Sequence, residues 1–152
     1  MKKIDLSKTT TYQAGVTQAH MHRNLQKICD SILSPYGITK MQWLIIGTVL
    51  DAQPKGIRVS ELAEMLGTTM SYLTTSINLL EARQILIRKE HLTDTRSRQV
   101  LVNEQFVPQC AEIEKTLRDG LRDSIYANVD PKEFTTYIKV MNQLAAVRLK
   151  DS

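Results

Sequence analysis

Long apolar runs are missing from this chain of 152 residues, and cysteine is scarce. No apolar segment approaches the roughly 20 residues of a membrane-spanning helix. No apolar stretch follows Lys2 and Lys3, as it would in a signal peptide. The two cysteines, Cys29 and Cys110, lack the spacing of metal ligands and suit a reducing compartment. We therefore expect a cytoplasmic protein with no membrane contact and no cofactor.

Catalytic and metal-binding motifs are also missing. The sequence contains no Ser-His-Asp order, no glycine-rich phosphate loop and no paired-carboxylate motif. His20 and His22 are two positions apart, so on a helix they point in different directions and do not share a metal ion. Neither an enzyme nor a metal site is expected. The net charge of +4 permits nucleic acid as a partner, and the placement of the charges is more informative than their sum.

The segment from Ile57 to Val102 contains the most informative pattern in the chain. Ser60 is the predicted N-cap of a first short helix, which Gly67 ends. Thr69 is the predicted N-cap of a second helix, from Met70 to about Ala82. The two helices and the tight turn between them predict a helix-turn-helix.

A basic hairpin follows these helices. Two strand-like runs at 86–91 and 98–102 flank a tip at 92–97, and Ile57–Val59 predicts a short third strand beside them. The basic residues of the hairpin are Arg88, Lys89, Arg96 and Arg98. Helix, turn, helix and basic hairpin in this order predict a winged helix-turn-helix, whose second helix enters the DNA major groove.

Three further helix starts can be read from the sequence. Thr39 and Gln42 have the spacing of a capping box, and the helix that they begin runs to about Asp51. Asn103 is the predicted N-cap of a long helix after the hairpin. Asp130 is the predicted N-cap of the last helix, with Pro131 at its first position.

Apolar stripes mark the helices outside the winged unit, at 11–33, 103–128 and 130–149. Such stripes must be covered by another element. A second copy of the chain, intertwined through these helices in a twofold dimer, is the interpretation that we favour. Packing of the three helices on one another within a monomer is the alternative.

Several short segments of the sequence match one known family. They are Tyr36-Gly37-Ile38-Thr39 with Gln42, Val59-Ser60-Glu61-Leu62-Ala63, Leu66-Gly67, Leu80-Glu81, and Asp94-Thr95-Arg96-Ser97-Arg98 with Val100 and Val102. Through them the chain, from about Tyr36 to Phe106, resembles the MarR family of bacterial transcription regulators. The resemblance implies a homodimeric repressor that binds a palindromic DNA operator and is often released by a small ligand or an oxidant.

The predicted fold is mainly α with a small β-hairpin wing, in a single domain over 1–152. A winged-helix DNA-binding unit at 38–102 is flanked by dimerisation helices at 11–34 and 103–150. The chain departs from the family at Gln84, where glycine is usual and a left-handed helix ending is favoured. Asn103 and Phe106 also replace the usual threonine and glycine.

The second helix of the winged unit divides into two faces. A helical wheel places Met70, Leu73, Ile77 and Leu80 inward, and Thr68, Ser71, Tyr72, Thr75 and Asn78 outward. Asparagine can hold adenine through N6 and N7, and threonine methyls can touch thymine methyls. No Lys or Arg occurs between Thr68 and Ala82, so contacts to phosphate fall to other residues. An ordinary polar surface is the alternative interpretation.

The wing supplies the positive charge. The resemblance implies that Asp94 orients an arginine and that Arg96 enters the minor groove, where a planar guanidinium meets concentrated negative potential. Arg88, Lys89 and Arg98 complete the predicted DNA-contacting set. The alternatives are a solvated hairpin and, because the second helix is uncharged, a winged-helix module that docks proteins instead of DNA.

A regulatory site is predicted from the family resemblance alone. The resemblance implies a ligand cleft between the dimerisation helices and the winged unit, lined by residues near Tyr36, Met41 and Trp43. Some family members sense oxidants through a cysteine on the first helix, and Cys29 lies on the first predicted helix of this chain. Only Lys27 is a basic neighbour in sequence, so buried structural cysteines are the favoured interpretation of Cys29 and Cys110.

Overall fold

The computed structural model describes residues 6–89 and 98–149, which contain six α-helices and three β-strands. The helices are α1 (Thr11–Leu33), α2 (Lys40–Asp51), α3 (Val59–Leu66), α4 (Met70–Ala82), α5 (Val107–Asp123) and α6 (Pro131–Ala145). The strands are β1 (Ile57–Arg58), β2 (Leu86–Lys89) and β3 (Gln99–Val102). Short 3-10 helices at Leu6–Lys8 and Ser34–Tyr36 flank α1. The predicted fold class, mainly helical with a small wing, is confirmed.

Side-chain caps begin most of the predicted helices. At the start of α2, Thr39 and Gln42 form the expected capping box, with both hydrogen bonds at 3.1 Å. Thr69 accepts a hydrogen bond from the backbone N–H of Tyr72 and so begins α4. Asp130 caps α6 as predicted. These caps satisfy N–H groups that a helix leaves unpaired in its first turn.

Two predicted caps are wrong. α3 begins at Val59, with Arg58 at the cap position and without a side-chain cap, so Ser60 lies inside the helix. The reason is that Arg58 pairs with Gln99 in the sheet, and the chain passes directly from strand to helix. Asn103 does not cap α5, because its side chain donates to the carbonyl of Gln84 and accepts from the N–H of Gln105.

The sheet is antiparallel, with the strand order β1-β3-β2. Ile57 pairs with Val100, and Leu86 pairs with Val102. The short third strand is therefore confirmed for Ile57–Arg58, whereas Val59 belongs to α3. The strand predicted at 86–91 is observed over Leu86–Lys89, and its remainder lies outside the described residues.

One hydrophobic core joins the winged unit to the outer helices. It combines Ile45, Ile46, Leu62, Leu73, Ile77 and Leu80 of the winged unit with Leu33 of α1 and Ile113 and Leu117 of α5. The apolar stripe of α5 and the C-terminal end of α1 are thus covered within the chain, as the monomer alternative expected for these parts. α6 contains no buried residue. The helices predicted at 103–128 and 130–149 are shorter than expected, because turns precede and follow α5 and α6 ends at Ala145.

None of the described helices combines the length and the apolar character that a membrane crossing requires.

Candidate nucleic-acid interface

The core holds α4 by one face. Leu73, Ile77 and Leu80 are fully buried, and Ser76 between them is 6% exposed. Three of the four residues predicted to face inward are confirmed. Met70 is the exception, with half of its surface exposed, because it occupies the first turn of α4, ahead of the point where Leu73 enters the core.

The opposite face of α4 is polar and solvent-accessible. Ser71, Tyr72, Thr75 and Asn78 are exposed, and Thr68 is half-buried in the turn before the helix. The Thr75 hydroxyl donates to the carbonyl of Ser71 at 3.2 Å, so toward a ligand this hydroxyl can act only as an acceptor. Thr74 is also exposed, and its hydroxyl is likewise bonded to the carbonyl one turn earlier.

Arg88 joins the wing to α4. From β2 its guanidinium forms an ion pair with Glu81, and a second nitrogen donates to Asn78 Oδ1 at 2.9 Å. Only 19% of the Arg88 side chain is exposed. Arg88 was predicted as one of the wing's positive charges, but its charge is balanced by Glu81. The sequence contained no signal for these contacts, since they depend on how β2 lies against the helix.

Three further basic residues lie on the sheet or next to it. Lys89 is exposed on β2, and Arg98 is exposed immediately before β3. Arg58 and Lys89 both pair with Gln99, from β1 and β2 respectively, so the three residues share one face of the sheet. Arg58 was not predicted as a site residue, because its strand partner cannot be read from its own segment. Asp94 and Arg96 lie outside the described residues.

A second arginine ties the end of α4 to the turn between α1 and α2. Arg83 donates to the carbonyl of Gly37 at 2.6 Å and to that of Tyr36 at 3.0 Å. The next residue, Gln84, has a φ of 58° and ends the helix in the left-handed conformation. The expectation of a left-handed ending at this glycine-type position is confirmed, with glutamine in place of glycine.

Of the three residues predicted to line a ligand cleft, Trp43 lines the cleft between α2 and α5, and Tyr36 and Met41 do not. Trp43 lines a cleft of about 550 Å³ between α2 and α5. Its other lining residues include Leu44, Gly47, Thr48, Val107 and Ala111. Tyr36 and Met41 pack against the core outside that lining. The hydroxyl of Tyr36 lies 3.0 Å from Thr116 Oγ1 on α5.

Both cysteines are buried, as predicted. Burial raises the pKa of Cys29, and the nearby Lys40 offsets part of that rise. Burial also raises the pKa of Cys110. Lys40, not Lys27, is therefore the cation that acts on Cys29. A raised pKa keeps both thiols protonated and unreactive near neutral pH. In the described parts of the chain, no three His, Cys, Asp or Glu side chains are grouped as a metal site requires.

Comparison with known proteins gives a family match over the winged unit. A model of the MarR family matches residues 36–97. This range contains the turn bound by Arg83, the helix-turn-helix, β2 and the segment up to β3.

Solved structures extend the similarity to the whole fold. A MarR-family transcriptional regulator from Rhodococcus sp. RHA1 is 11% identical, with a TM-score of 0.82 over 94% of this chain and 99% of that one. CouR from Rhodococcus jostii RHA1, bound to p-coumaroyl-CoA, is 12% identical, with a TM-score of 0.78 over 95% and 99%. The MarR-family regulator Sco3205 from Streptomyces coelicolor, in complex with DNA, is 16% identical, with a TM-score of 0.76 over 90% and 88%. At these identities the structures show a shared fold, and the family match adds a sequence similarity to the MarR family over residues 36–97.

Proposed function

We propose that this protein is a sequence-specific DNA-binding transcriptional regulator that acts as a homodimeric repressor at a palindromic operator. The observation that supports the proposal most directly is the outward face of α4. That face is polar and exposed, it is held by a fully buried opposite face, and it lies beside a basic sheet. A rigid helix with exposed hydrogen-bonding side chains is what major-groove reading requires. The DNA complex of Sco3205 is a precedent within the same fold.

Base reading and phosphate binding are divided between two elements in this proposal. α4 carries no Lys or Arg, so Ser71, Tyr72, Thr75 and Asn78 would read base edges, with Thr68 at the start of the helix. Lys89 and Arg98 would contact phosphate, with Arg58 beside them on the sheet. Arg96 in the minor groove, oriented by Asp94, remains a prediction from the sequence.

Dimerisation is proposed from the apolar surface that the chain leaves exposed. On α6, Tyr137 is 41%, Met141 42% and Leu144 66% exposed. On the N-terminal half of α1, Tyr12 and Val16 are more than half exposed. A second copy would cover these stripes, and its twofold axis would present two α4 helices to two half-sites. Because α5 already packs within the chain, the surface left for a partner subunit to cover is that of α6 and the start of α1.

The cleft between α2 and α5 is the proposed site for a small-molecule effector. It is lined mostly by apolar side chains, among them Trp43, and also by two acidic residues, Asp51 and Glu114. CouR, which has the same fold, is described bound to p-coumaroyl-CoA. A ligand wedged between α2 and α5 would change how the winged unit sits on the dimer helices, and so would act on DNA binding.

Selection of bound sequences from a random pool of double-stranded DNA tests the proposed function. We expect enrichment of an inverted repeat, and affinity that falls steeply as salt rises from about 50 to 200 mM, because phosphate contacts release counterions. A pool that shows no enrichment, with binding that does not depend on salt, would contradict the proposal. Protein docking through the uncharged face of α4 would then be favoured.

A further inference from the structure

The contact between Arg88 and Asn78 fixes the orientation of a side chain on the proposed reading face. We propose that Arg88 is a positioning residue for base recognition, which makes Asn78 a hydrogen-bond donor toward DNA and so favours guanine at the position that it reads. This inference rests on the proposed DNA binding. In the adenine contact expected from the sequence, asparagine both donates and accepts. In the contact proposed here, Asn78 only donates.

The chemistry of the two groups decides which end of the amide faces the arginine. A guanidinium has five N–H donors and no acceptor, so the Asn78 atom 2.9 Å from Arg88 Nη2 must be the amide oxygen. The Nδ2 amino group therefore occupies the other position of the exposed amide. Among the described residues, no side chain accepts a hydrogen bond from Nδ2. The amide thus presents two N–H groups to a ligand on its exposed side.

Glu81 holds the arginine in place. Asn78 and Glu81 are three positions apart on α4 and therefore lie on the same side of the helix, one turn from each other. Arg88 donates to both side chains at once, from a strand that is itself paired to β3. Two partners for one planar group restrict its rotation more than one partner would. The orientation of Asn78 is consequently set by the sheet and the helix together.

A fixed donor selects among bases by their major-groove edges. The bidentate contact to adenine requires asparagine to donate to N7 and to accept from N6, and here Arg88 already occupies one of the two lone pairs of the accepting oxygen, which weakens that oxygen as an acceptor for N6. Guanine presents two acceptors, N7 and O6, in the major groove, whereas cytosine presents only its N4 donor. Nδ2 of Asn78 therefore favours guanine and disfavours cytosine, by about tenfold for one contact of this kind.

The test compares base preferences selected from a random DNA pool by the full-length protein and three variants. Arg88→Met removes the positioning group, and Lys89→Met removes the same charge one residue later on the same strand. Asn78→Asp keeps an acceptor for Arg88 but has no donor. We expect Arg88→Met to lose the guanine preference at one position per half-site. Lys89→Met should bind all sequences more weakly with the preference unchanged, and Asn78→Asp should replace guanine by cytosine or adenine, whose amino groups donate.

Each outcome bears on the proposal. A wild-type protein that selects adenine at the position altered by Asn78→Asp, or an Arg88→Met protein with the wild-type preference at every position, would overturn it. Because Arg88→Met leaves Glu81 without its partner, thermal melting accompanies the selection. If Arg88→Met does not fold, the Asn78→Asp variant, which retains the ion pair between Arg88 and Glu81, provides the test. Replacement of guanine by cytosine or adenine supports the proposal, and an unchanged base preference contradicts it. A wild-type protein that enriches no sequence would contradict the proposed function itself, which is a different result from a preference that Arg88 does not control.

Discussion

Arg83, at the end of α4, donates a hydrogen bond of 2.6 Å to the carbonyl oxygen of Gly37. A second nitrogen of the same guanidinium donates to the carbonyl of Tyr36, whose hydroxyl reaches Thr116 on α5. α4 is thereby connected through one turn to α5, which is outside the winged unit. The turn itself requires its glycine, because Gly37 has a φ of 66°.

Arg83→Met should lower the free energy of unfolding by about 1–2 kcal/mol, because two hydrogen bonds from a charged group to carbonyls are lost on a partly exposed surface. Urea unfolding measures the change. Arg118→Met is the matched control, since Arg118 makes an exposed ion pair with Glu114, whose loss should change stability much less. Equal effects of the two substitutions would show that the Arg83 contacts are not stabilising.

Gln84→Gly should raise the free energy of unfolding by about 0.5–1 kcal/mol. Glutamine at a φ of 58° carries a steric cost that glycine lacks, and the greater freedom of glycine in the unfolded chain offsets part of the gain. Gln84→Asn should give a smaller gain and Gln84→Val a loss, because asparagine tolerates this conformation and β-branched residues do not. Melting temperatures that rank the three variants in a different order would contradict the backbone explanation.

Local signals in the sequence were sufficient to locate α4. Gly67 ends α3 and Thr69 caps α4, and both act on neighbouring backbone, so the bounds of α4 could be predicted. The pairs Arg88–Asn78 and Arg83–Gly37 are separated by 10 and 46 positions, and no periodicity relates their members. Ser60 was predicted wrongly for the same reason, since the start of α3 is determined by a strand partner on the far side of the hairpin.

The apolar stripes could be predicted from the sequence, but what covers each of them could not. α5 packs against α1 within the chain, whereas α6 remains exposed, and the periodicity of the two helices is of the same kind. The periodicity of a sequence indicates that a helix has an apolar face, but only the tertiary arrangement determines what covers that face. In the same way, the family resemblance grouped Trp43 with Tyr36 and Met41, and only the tertiary arrangement shows that Trp43 lines the cleft between α2 and α5 while the other two residues do not.

A close helix contact should make one glycine of α5 sensitive to substitution. A Cβ on Gly120 would lie 2.6 Å from Cδ1 of Ile32 on α1, whereas a Cβ on Gly47 of α2 would meet no atom within 4 Å. Gly47→Ala should therefore stabilise by up to about 1 kcal/mol through helix propensity. Gly120→Ala should stabilise less than Gly47→Ala does, because Ile32 must move to make room for the new methyl group.

Shortening the opposing side chain tests the cause. In an Ile32→Val background, which removes the terminal methyl, Gly120→Ala should recover most of the missing stability. The measurement is a double-mutant cycle by urea unfolding. Additive effects of Ile32→Val and Gly120→Ala would mean that the two residues do not interact.

Alkaline pH should destabilise the protein through its buried thiols. Burial raises the pKa of Cys29 and Cys110 above the ordinary thiol value of 9.0. As pH rises through that value, the unfolded chain loses these protons before the folded chain does, so the folded state loses stability; at neutral pH the contribution is fully present. Urea unfolding from about pH 7 to about pH 9.5 measures the fall.

The double variant Cys29→Ala/Cys110→Ala provides the comparison for this pH dependence. Its stability should fall less steeply over the same pH range, although its absolute stability is lower because alanine leaves space in the core. Tyr126, whose pKa is also raised by burial, contributes with the same sign in both proteins. Identical pH slopes for the two proteins would exclude the thiols as the cause.

The exposed stripe of α6 leads to the prediction on assembly. Leu144→Glu and Met141→Glu should convert a dimer of about twice 17.3 kDa into a monomer at micromolar concentration, because each places a charge in a surface that the partner would bury. Both residues are exposed in the single chain, at 66% and 42%, so neither substitution should affect the folding of the monomer. Light scattering gives the mass, and circular dichroism verifies the fold.

Gln143→Glu is the matched control, because Gln143 lies on the opposite side of α6 from the stripe and is also exposed. It adds the same charge to the same helix and should leave the mass unchanged. A monomeric variant should also lose affinity for DNA with two half-sites while binding a single half-site as the wild type does, since only the pairing of two α4 helices is lost. If Leu144→Glu, Met141→Glu and Gln143→Glu all remain dimeric, the dimer is held by another surface, and the exposed start of α1 at Tyr12 and Val16 is the next surface to test.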